Sequence, residues 1–398
     1  MEVQVKLKSL FWRTSFYGAL TEGGVGTLYR GLVEAFVKLG HKTIFASSGP
    51  MNLPEETDFR LIEYSKLLRN FPEVLNFPYN ESSLKQMMKI VENTQPDFFY
   101  LHHHDFHYGG AKLKEKTGLP FILHFDSIEY WVKKNWGKLY FGNLLKWCEQ
   151  IEVDQADAII VISEVLKKQA SEFYSIPQEK IHVSPNGVNV DKFNPYIDSS
   201  SVLKKYGLEG KYVIGYSGSF NEYHGIDLLA QAAKKLLTEI PDSRILMVGD
   251  GALREKVEGI LKIDNVRDKV IITGLIPLND VPDHLAACDV LVSPIKHNHN
   301  DEFFGSPIKN FEYKAMGKPI VATNLGQLNT IFQEKHNALI LEHNSFESII
   351  ERIFELYQNP DLSHQISVQA RKDAVEKHSW TKNVEKIVDL YKIIMEKR

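Results

Sequence analysis

The stretch GSPIKNFEYKAMGKPIVAT, residues 305–323, reads as a helix followed by a strand. Ser306 is a good N-cap, Pro307 fills the first helical position where a missing N–H costs nothing, and Gly317 closes the helix. Lys318-Pro319 then leads into a short apolar run, residues 320–323, of the buried-strand type. The helix N-terminus offers free N–H groups and a positive dipole end, and Lys309 adds a full charge in its first turn. Together these make an anion site. Helical spacing from Ile308 sets Glu312 inside the apolar arc beside Ala315 and Met316, where a carboxylate needs a specific partner. The other reading is an i,i+3 Lys309–Glu312 surface pair.

The same strand-then-helix alternation extends outward in both directions. Residues 3–7 are the expected first strand, followed by a glycine loop at Gly23-Gly24 and a helix with Leu28, Leu32, Phe36 and Leu39 on one side. Apolar runs at 43–47, 98–101, 121–125, 158–162 and 180–184 continue the first half. After a polar, proline-containing linker at 194–201 the pattern restarts at Tyr212, with strands at 244–248, 270–273, 290–293 and 320–323 and glycine turns at Gly218 and Gly249-Asp250-Gly251. The expectation is an α/β chain of two Rossmann-like, doubly wound domains facing a central cleft. The expected spans are 1–195, 196–378, and a C-terminal helix at 379–398 that crosses back to the first domain. Gly23-Gly24 and the 306–312 segment lie beyond strand ends and are expected to line that cleft. Neither glycine loop is a dinucleotide fingerprint or a P-loop, which argues against simple NAD or ATPase chemistry.

With 398 residues, 43% apolar and 25% charged, the chain has the composition of a soluble globular protein. A net charge of −4 leaves no basic field to suggest nucleic acid. Cys148 and Cys288 lack a metal-type spacing and read as reduced buried thiols of a cytoplasmic protein. No apolar run is long enough to span a bilayer, so any membrane contact, for instance at an inner membrane surface, is expected to be peripheral.

Five further segments carry a resemblance: VSPNGVNVDKFNP (183–195), GYSGSFNEYHGIDLL (215–229), LMVGDGALREKVEGI (246–260), ITGLIPLNDVPDHLAACDVLVSP (272–294) and HSWTKNVEKIVDLY (378–391). With the opening segment they resemble the family 4, or group 1, glycosyltransferases of the GT-B fold. The resemblance implies retaining, metal-independent transfer of a hexosyl-type sugar from a UDP- or GDP-sugar to a glycan or lipid-linked acceptor, without a cofactor. It fits polysaccharide or glycolipid assembly. No Asp-x-Asp pair occurs in the chain, which agrees on the metal. It further implies donor contacts at Gly23, Gly24, Gly218, Ser219, His224, Gly225, Gly274, Glu302, Gly305, Ser306, Pro307 and Ile308. Lys309 is implied for the leaving diphosphate and Glu312 for the nucleotide ribose. Such departure builds negative charge on phosphate, and cations, N–H groups and a helix dipole can hold it.

The chain departs from the family pattern at three places. Ser219 and His224 stand where the family often has Arg and Lys, leaving Lys309, a protonated His224 and backbone dipoles to meet the charge. The family's first motif glutamate falls at Phe304, with Asp301 or Glu302 close enough in sequence to replace it. The first-domain active-site histidine maps to Asp126, while His124 shares its side of the strand. Which of the two faces the sugar stays open; in the other reading His124 is a core histidine and Asp126 caps the helix beginning near Ser127.

The run His102-His103-His104-Asp105 with His107 follows a strand and has no four-ligand spacing, so acceptor contact or polar lining is expected before zinc. His297 and His299 are expected near the donor sugar. WVKKNWGKLYFGNLLKW, residues 131–147, mixes lysines with aromatics, which suits either an anionic bilayer surface or a packed core with solvated lysines. Two rival functions are a GT-B sugar-nucleotide 2-epimerase and a GT-B-like binding protein that has lost its chemistry.

Overall fold

The computed structural model describes residues 6–14, 23–64, 76–296 and 303–398. The chain divides into two compact units, Met1–Asn186 with Trp380–Arg398, and Gly187–Ser379. The first runs β1 (Lys8–Arg13), α1 (Gly24–Lys38), β2 (Lys42–Ser47), β3 (Asp58–Leu61), α2 (Asn76–Thr94), β4 (Phe98–His102), α3 (Gly109–Thr117), β5 (Phe121–Phe125), α4 (Glu129–Asn135), α5 (Gly142–Gln155), β6 (Ala158–Val161), α6 (Glu164–Tyr174) and β7 (Ile181–Val183). The second begins with α7 (Ser200–Tyr206), β8 (Tyr212–Ser217), α8 (Ile226–Glu239), β9 (Ser243–Val248), α9 (Arg254–Ile263), β10 (Val270–Ile272), α10 (Val281–Ala286) and β11 (Val290–Ser293). It continues through α11 (Ile308–Ala315), β12 (Ile320–Thr323), α12 (Leu328–Ile331), β13 (Leu339–Leu341), α13 (Phe346–Gln358) and α14 (Pro360–Lys377). Helix α15 (Trp380–Glu396) belongs to the first unit.

Every strand pair is parallel. The first sheet has the order β3-β2-β1-β4-β5-β6-β7 and the second β10-β9-β8-β11-β12-β13. Strand order therefore reverses between β1 and β4 in one sheet and between β8 and β11 in the other. Crossovers leave each sheet in opposite directions at such a point, which opens a crevice at the C-terminal strand ends.

The strands are apolar without alternation because parallel sheets are covered on both faces. Phe98, Phe99, Phe121, Ile122 and Leu123 are all fully buried. The same rule explains a correction. Residues 3–5 of the expected first strand lie outside the described residues, residues 6 and 7 are not strand, and the first described strand is Lys8–Arg13. Val3, Val5 and Leu7 alternate like a half-exposed strand, whereas Leu10-Phe11-Trp12 is the unbroken run that a central strand requires. Strands β3 and β13 are short edges: β3, DFRL, has no apolar run, whereas β13 lies in the brief run at residues 338–341. Helix α15 docks through Trp380, Val384, Ile387 and Leu390, all buried. Gly31 of α1 makes this possible, since a Cβ there would sit 2.2 Å from the Trp380 indole nitrogen.

Candidate functional site

In the second unit, α11 starts beside the strand-order reversal. Its N-cap is Pro307, in extended backbone, and no side chain caps it. The expected Ser306 cap is displaced by one residue: proline's ring permits the extended ψ of 121°, and Ser306 is buried upstream. Two bonds tie the helix to the strand ends. The Tyr313 hydroxyl accepts the Ser217 N–H at 2.7 Å, and the Ser293 hydroxyl donates to Asn310 Oδ1 at 2.7 Å.

These anchors place Lys309 above Gly218. Lys309 is 6% exposed. Its Nζ lies 4.4 Å from the centre of the Tyr216 ring and has no hydrogen-bond partner among the described residues. A Cβ on Gly218 would lie 3.6 Å from that Nζ. Burial pulls the ammonium down to about 7, with Glu312 opposing. Glu312 keeps partial exposure, yet desolvation pushes its carboxyl up to about 7 against Lys192 and Lys309. No ion pair joins Lys309 and Glu312, so the surface-pair reading falls. His224 is corrected too. Burial first, and Lys309 second, lower its imidazole to about 2, so it is neutral and supplies no charge.

Glycine turns gather around Lys309. Gly225, at φ 65°, starts α8 with no room for a side chain, because a Cβ would fall 1.8 Å from the Pro294 carbonyl oxygen. Gly249 bridges to Gly274, and a Cβ on Gly249 would meet the Gly218 carbonyl oxygen at 2.0 Å. Gly218, Ser219, His224, Gly225 and Lys309 thus form one group, with Gly274 in the adjoining turn. Gly305 lies against the Phe303 ring, where a Cβ would be 2.9 Å away, and Ile308 opens the helix. Phe304 is buried and offers no carboxylate. Glu302, Asp301, His297 and His299 lie outside the described residues. Lys192 is an addition: its Nζ donates to Asn279 Oδ1 at 2.7 Å and its charge reaches Glu312. It sits in a loop, where periodicity is silent.

The first unit has its own polar group at the reversal between β1 and β4. Arg13, His102 and His124 are consecutive register partners on β1, β4 and β5, so their side chains share one face. Asp126 Oδ2 lies 2.7 Å from His102 Nε2, and Oδ1 lies 2.9 Å from His124 Nε2. Tyr100 hydroxyl and His124 Nδ1 are hydrogen-bonded. Burial opposes ionisation of Asp126, but His102 and His124 outweigh it and hold the carboxyl far below its usual range. Burial lowers His124 despite Asp126. The Asp126 side chain retains 29% exposure and that of His124 only 3%. Asp126 is therefore the accessible member and His124 its buried support.

Asp126 does not cap α4. The N-cap is Ile128, and Glu149 of α5 accepts the Glu129 N–H at 2.8 Å and the Tyr130 N–H at 3.4 Å. Arg13, which no motif signals, is 2% exposed, and its charge favours ionisation of Tyr29 while Asp126 opposes it. Gly23 and Gly24 are exposed at the start of α1.

The histidine run faces inward. His103 stacks on Phe125 at 4.6 Å between ring centres, and His107 Nδ1 meets Glu152 Oε1 at 3.1 Å. Glu152 also accepts the Gly110 and Ala111 N–H groups at the start of α3. Glu149 and Glu152, one turn apart on α5, thus cap two different helices, and His103 and His107 pack within this scaffold while His102 joins Asp126. Among the described residues no group of three or more His, Cys, Asp or Glu is placed to hold a metal ion, and no helix is long and apolar enough to cross a membrane. In the 131–147 segment, Trp136, Tyr140, Phe141 and Trp147 are exposed, while Leu145 is buried and Lys133 is taken by Asp105 at 2.8 Å.

Residues 199–373 match the family described as glycosyl transferases group 1, and residues 22–192 match glycosyltransferase family 4. An uncharacterized glycosyltransferase of Methanocaldococcus jannaschii is 24% identical over 98% of this chain and 99% of its own. The UDP-Gal:alpha-D-GlcNAc-diphosphoundecaprenol alpha-1,3-galactosyltransferase of Escherichia coli is 25% identical over 87% of each chain. The crystal structure of a glycosyltransferase from Rickettsia africae has the same fold, with a TM-score of 0.74 over 99% of this chain and 100% of that one at 20% identity. Two parallel sheets wound in this way, together with matches along nearly the whole chain, make this protein a family 4, group 1 glycosyltransferase of the GT-B fold, an enzyme of sugar transfer.

Proposed function

We propose that this enzyme transfers a hexosyl sugar from a UDP- or GDP-sugar, without a metal and with retention at the anomeric carbon, to a glycan or lipid-linked acceptor. One observation carries the reading: a buried ammonium, Lys309, stands without a hydrogen-bond partner among the described residues at the strand-order reversal, beside a helix N-terminus. A buried charge left unmatched is costly, and a diphosphate would match it. As the bond from the anomeric carbon to the diphosphate oxygen breaks, charge grows on that oxygen, and Lys309 with the first turn of α11 opposes it. Glu312 takes the nucleotide ribose hydroxyls, with Lys192 favouring its ionised form. Gly218, Ser219, Gly225 and the 305–308 segment let the phosphates approach backbone. Asp126, ionised and accessible, serves the reacting sugar or acceptor, with His124 and His102 holding it. The lipid-linked acceptor of the E. coli relative supports an acceptor of that class, in polysaccharide or glycolipid assembly.

Residues 131–147 are the corresponding membrane contact. Trp136, Tyr140, Phe141 and Trp147 are exposed beside exposed Lys134, Lys138 and Lys146, a combination suited to an anionic bilayer surface. Phe141 adopts φ 53°, a strained conformation for a bulky residue, at the tip joining α4 to α5.

The test is a panel of UDP- and GDP-sugars with lipid-diphosphate and glycan acceptors. The reading expects nucleoside diphosphate release only when an acceptor is present, insensitivity to EDTA, and an α product from an α donor. Epimerised sugar from donor alone, or nucleotide binding without turnover on any acceptor, would replace it with one of the two rivals.

A further inference from the structure

The first unit holds a cavity of about 330 Å3 beneath α15, at the β7 edge of its sheet. Ile160 of β6 and His182 of β7 are register partners on one face and line it. Lys167 of α6, Ser184 after β7, and Lys386 and Leu390 of α15 complete the lining used here. No part of the Asp126 group lines it.

Its charges are unbalanced. Lys167, His182 and Lys386 have no hydrogen-bond or ion-pair partner among the described residues. Burial opposes the His182 imidazolium, and so do Lys167 and Lys397. The one acid on the lining, Asp389, is exposed and lies 2.9 Å from Lys392. Ser184 is 7% exposed, and its hydroxyl has no partner among the described residues. It also borders a far smaller space beside His124. Two lysines, of which Lys386 is exposed, a histidine and a hydroxyl thus line one cavity with an apolar wall. Mutual repulsion among them is relieved by one multiply charged anion, and ligand pockets of roughly 300 Å3 or more are large enough for a small organic molecule.

We propose that this cavity binds a phosphate monoester carrying a short apolar group, with Lys167, His182, Lys386 and Ser184 around the phosphate and Ile160 and Leu390 against the apolar part. The phosphate dianion offers three strong acceptor oxygens, matching these donors better than a carboxylate does. The same chemistry is found in soluble organic phosphates and in phosphatidic-acid headgroups.

The experiment titrates the full-length enzyme with phenyl phosphate, read by calorimetry and by the His182 ring signals in NMR, with phenol as control. Expected are saturable binding, a rise in the His182 titration midpoint of about one pH unit, and about tenfold weaker binding in Lys167→Ala and in Lys386→Ala, the loss of one charge-assisted hydrogen bond. Lys309→Met should leave this binding intact, which separates it from the nucleotide site, and neither alanine variant should change sugar transfer. Vesicles with and without phosphatidic acid identify the source. Capture that depends on Lys167 and Lys386 means a lipid headgroup; phenyl phosphate binding without such capture means a soluble ester. An unmoved His182, or equal affinity in wild type and both lysine variants, overturns the proposal.

Discussion

The Lys309 and Asp126 groups occupy corresponding places, each where the strand order of its own sheet reverses, yet they settle their charges in opposite ways. Asp126 is met by His102 at 2.7 Å and His124 at 2.9 Å, with Tyr100 bonded behind His124. Lys309 is more deeply buried, and among the described residues it meets the face of Tyr216 and the charge of Glu312 without a hydrogen bond. A network of opposite charges is organised before any substrate arrives, with the Asp126 Oδ1–His124 Nε2 approach a charge contact and not a hydrogen bond of good geometry. An unmatched buried charge weakens the empty protein and is retained for what binds to it. One group is therefore held by its own charges, whereas the other, on the proposed function, is completed by an anion.

The largest expected effect comes from removing the unmatched charge. Lys309→Met should reduce kcat/KM by about 10³-fold, near 4 kcal/mol, as loss of a key group stabilising developing charge does. The ligand-free protein should at the same time become more stable by roughly 1–3 kcal/mol, because a buried ion is replaced by an isosteric apolar chain. Turnover and calorimetric unfolding on one preparation check both; a variant that loses activity and stability together breaks the comparison. The pH dependence sharpens it. The folded chain releases the Lys309 proton near 7 and the unfolded chain near 10.5. Between those values the unfolded state holds more protons, so stability rises with pH across that window, and below it the full penalty stands. Lys309→Met should flatten this rise in a series of melts.

Asp126→Ala should behave oppositely, losing activity by about 10²-fold and stability by about 3 kcal/mol, since it strands the buried His124 and the part-buried His102. Denaturant titration with parallel kinetics gives both numbers, and an unchanged melt would show that the network is ornamental to the fold. Glu312→Gln is milder: donor KM rises about tenfold with kcat nearly kept, as expected when binding shared by ground and transition states is removed. A fall in kcat alone would move Glu312 from ribose to the reacting bond. The smallest stability change, within about 0.5 kcal/mol, belongs to the exposed pair Trp136→Ala and Phe141→Ala. These should abolish salt-sensitive binding to anionic vesicles and spare transfer to a water-soluble acceptor; vesicle binding that survives removes the membrane contact.

Local rules determined much of this protein from the sequence alone. Strands β5, β11 and β12 stand at residues 121–125, 290–293 and 320–323 as their apolar runs demand, and α15 begins at Trp380 as its periodicity demands. Lys309 and Glu312 were also legible, because a helix start with a cation and an acid inside an apolar arc are features of neighbouring residues. Tertiary structure decided whatever depends on partners distant in the chain. That Lys309 Nζ finds no hydrogen-bond partner among the described residues, that desolvation lowers His224, and that Asp126 is held by His102 and His124 instead of capping a helix are facts of three-dimensional proximity. Arg13 and Lys192 came into view only once β1 and a loop had been placed. So did the exposure of Trp136 and Phe141, since an aromatic side chain carries the same local signal whether it is buried or bare. Periodicity reports which residues share a face; only packing decides what that face meets and how its charges are balanced.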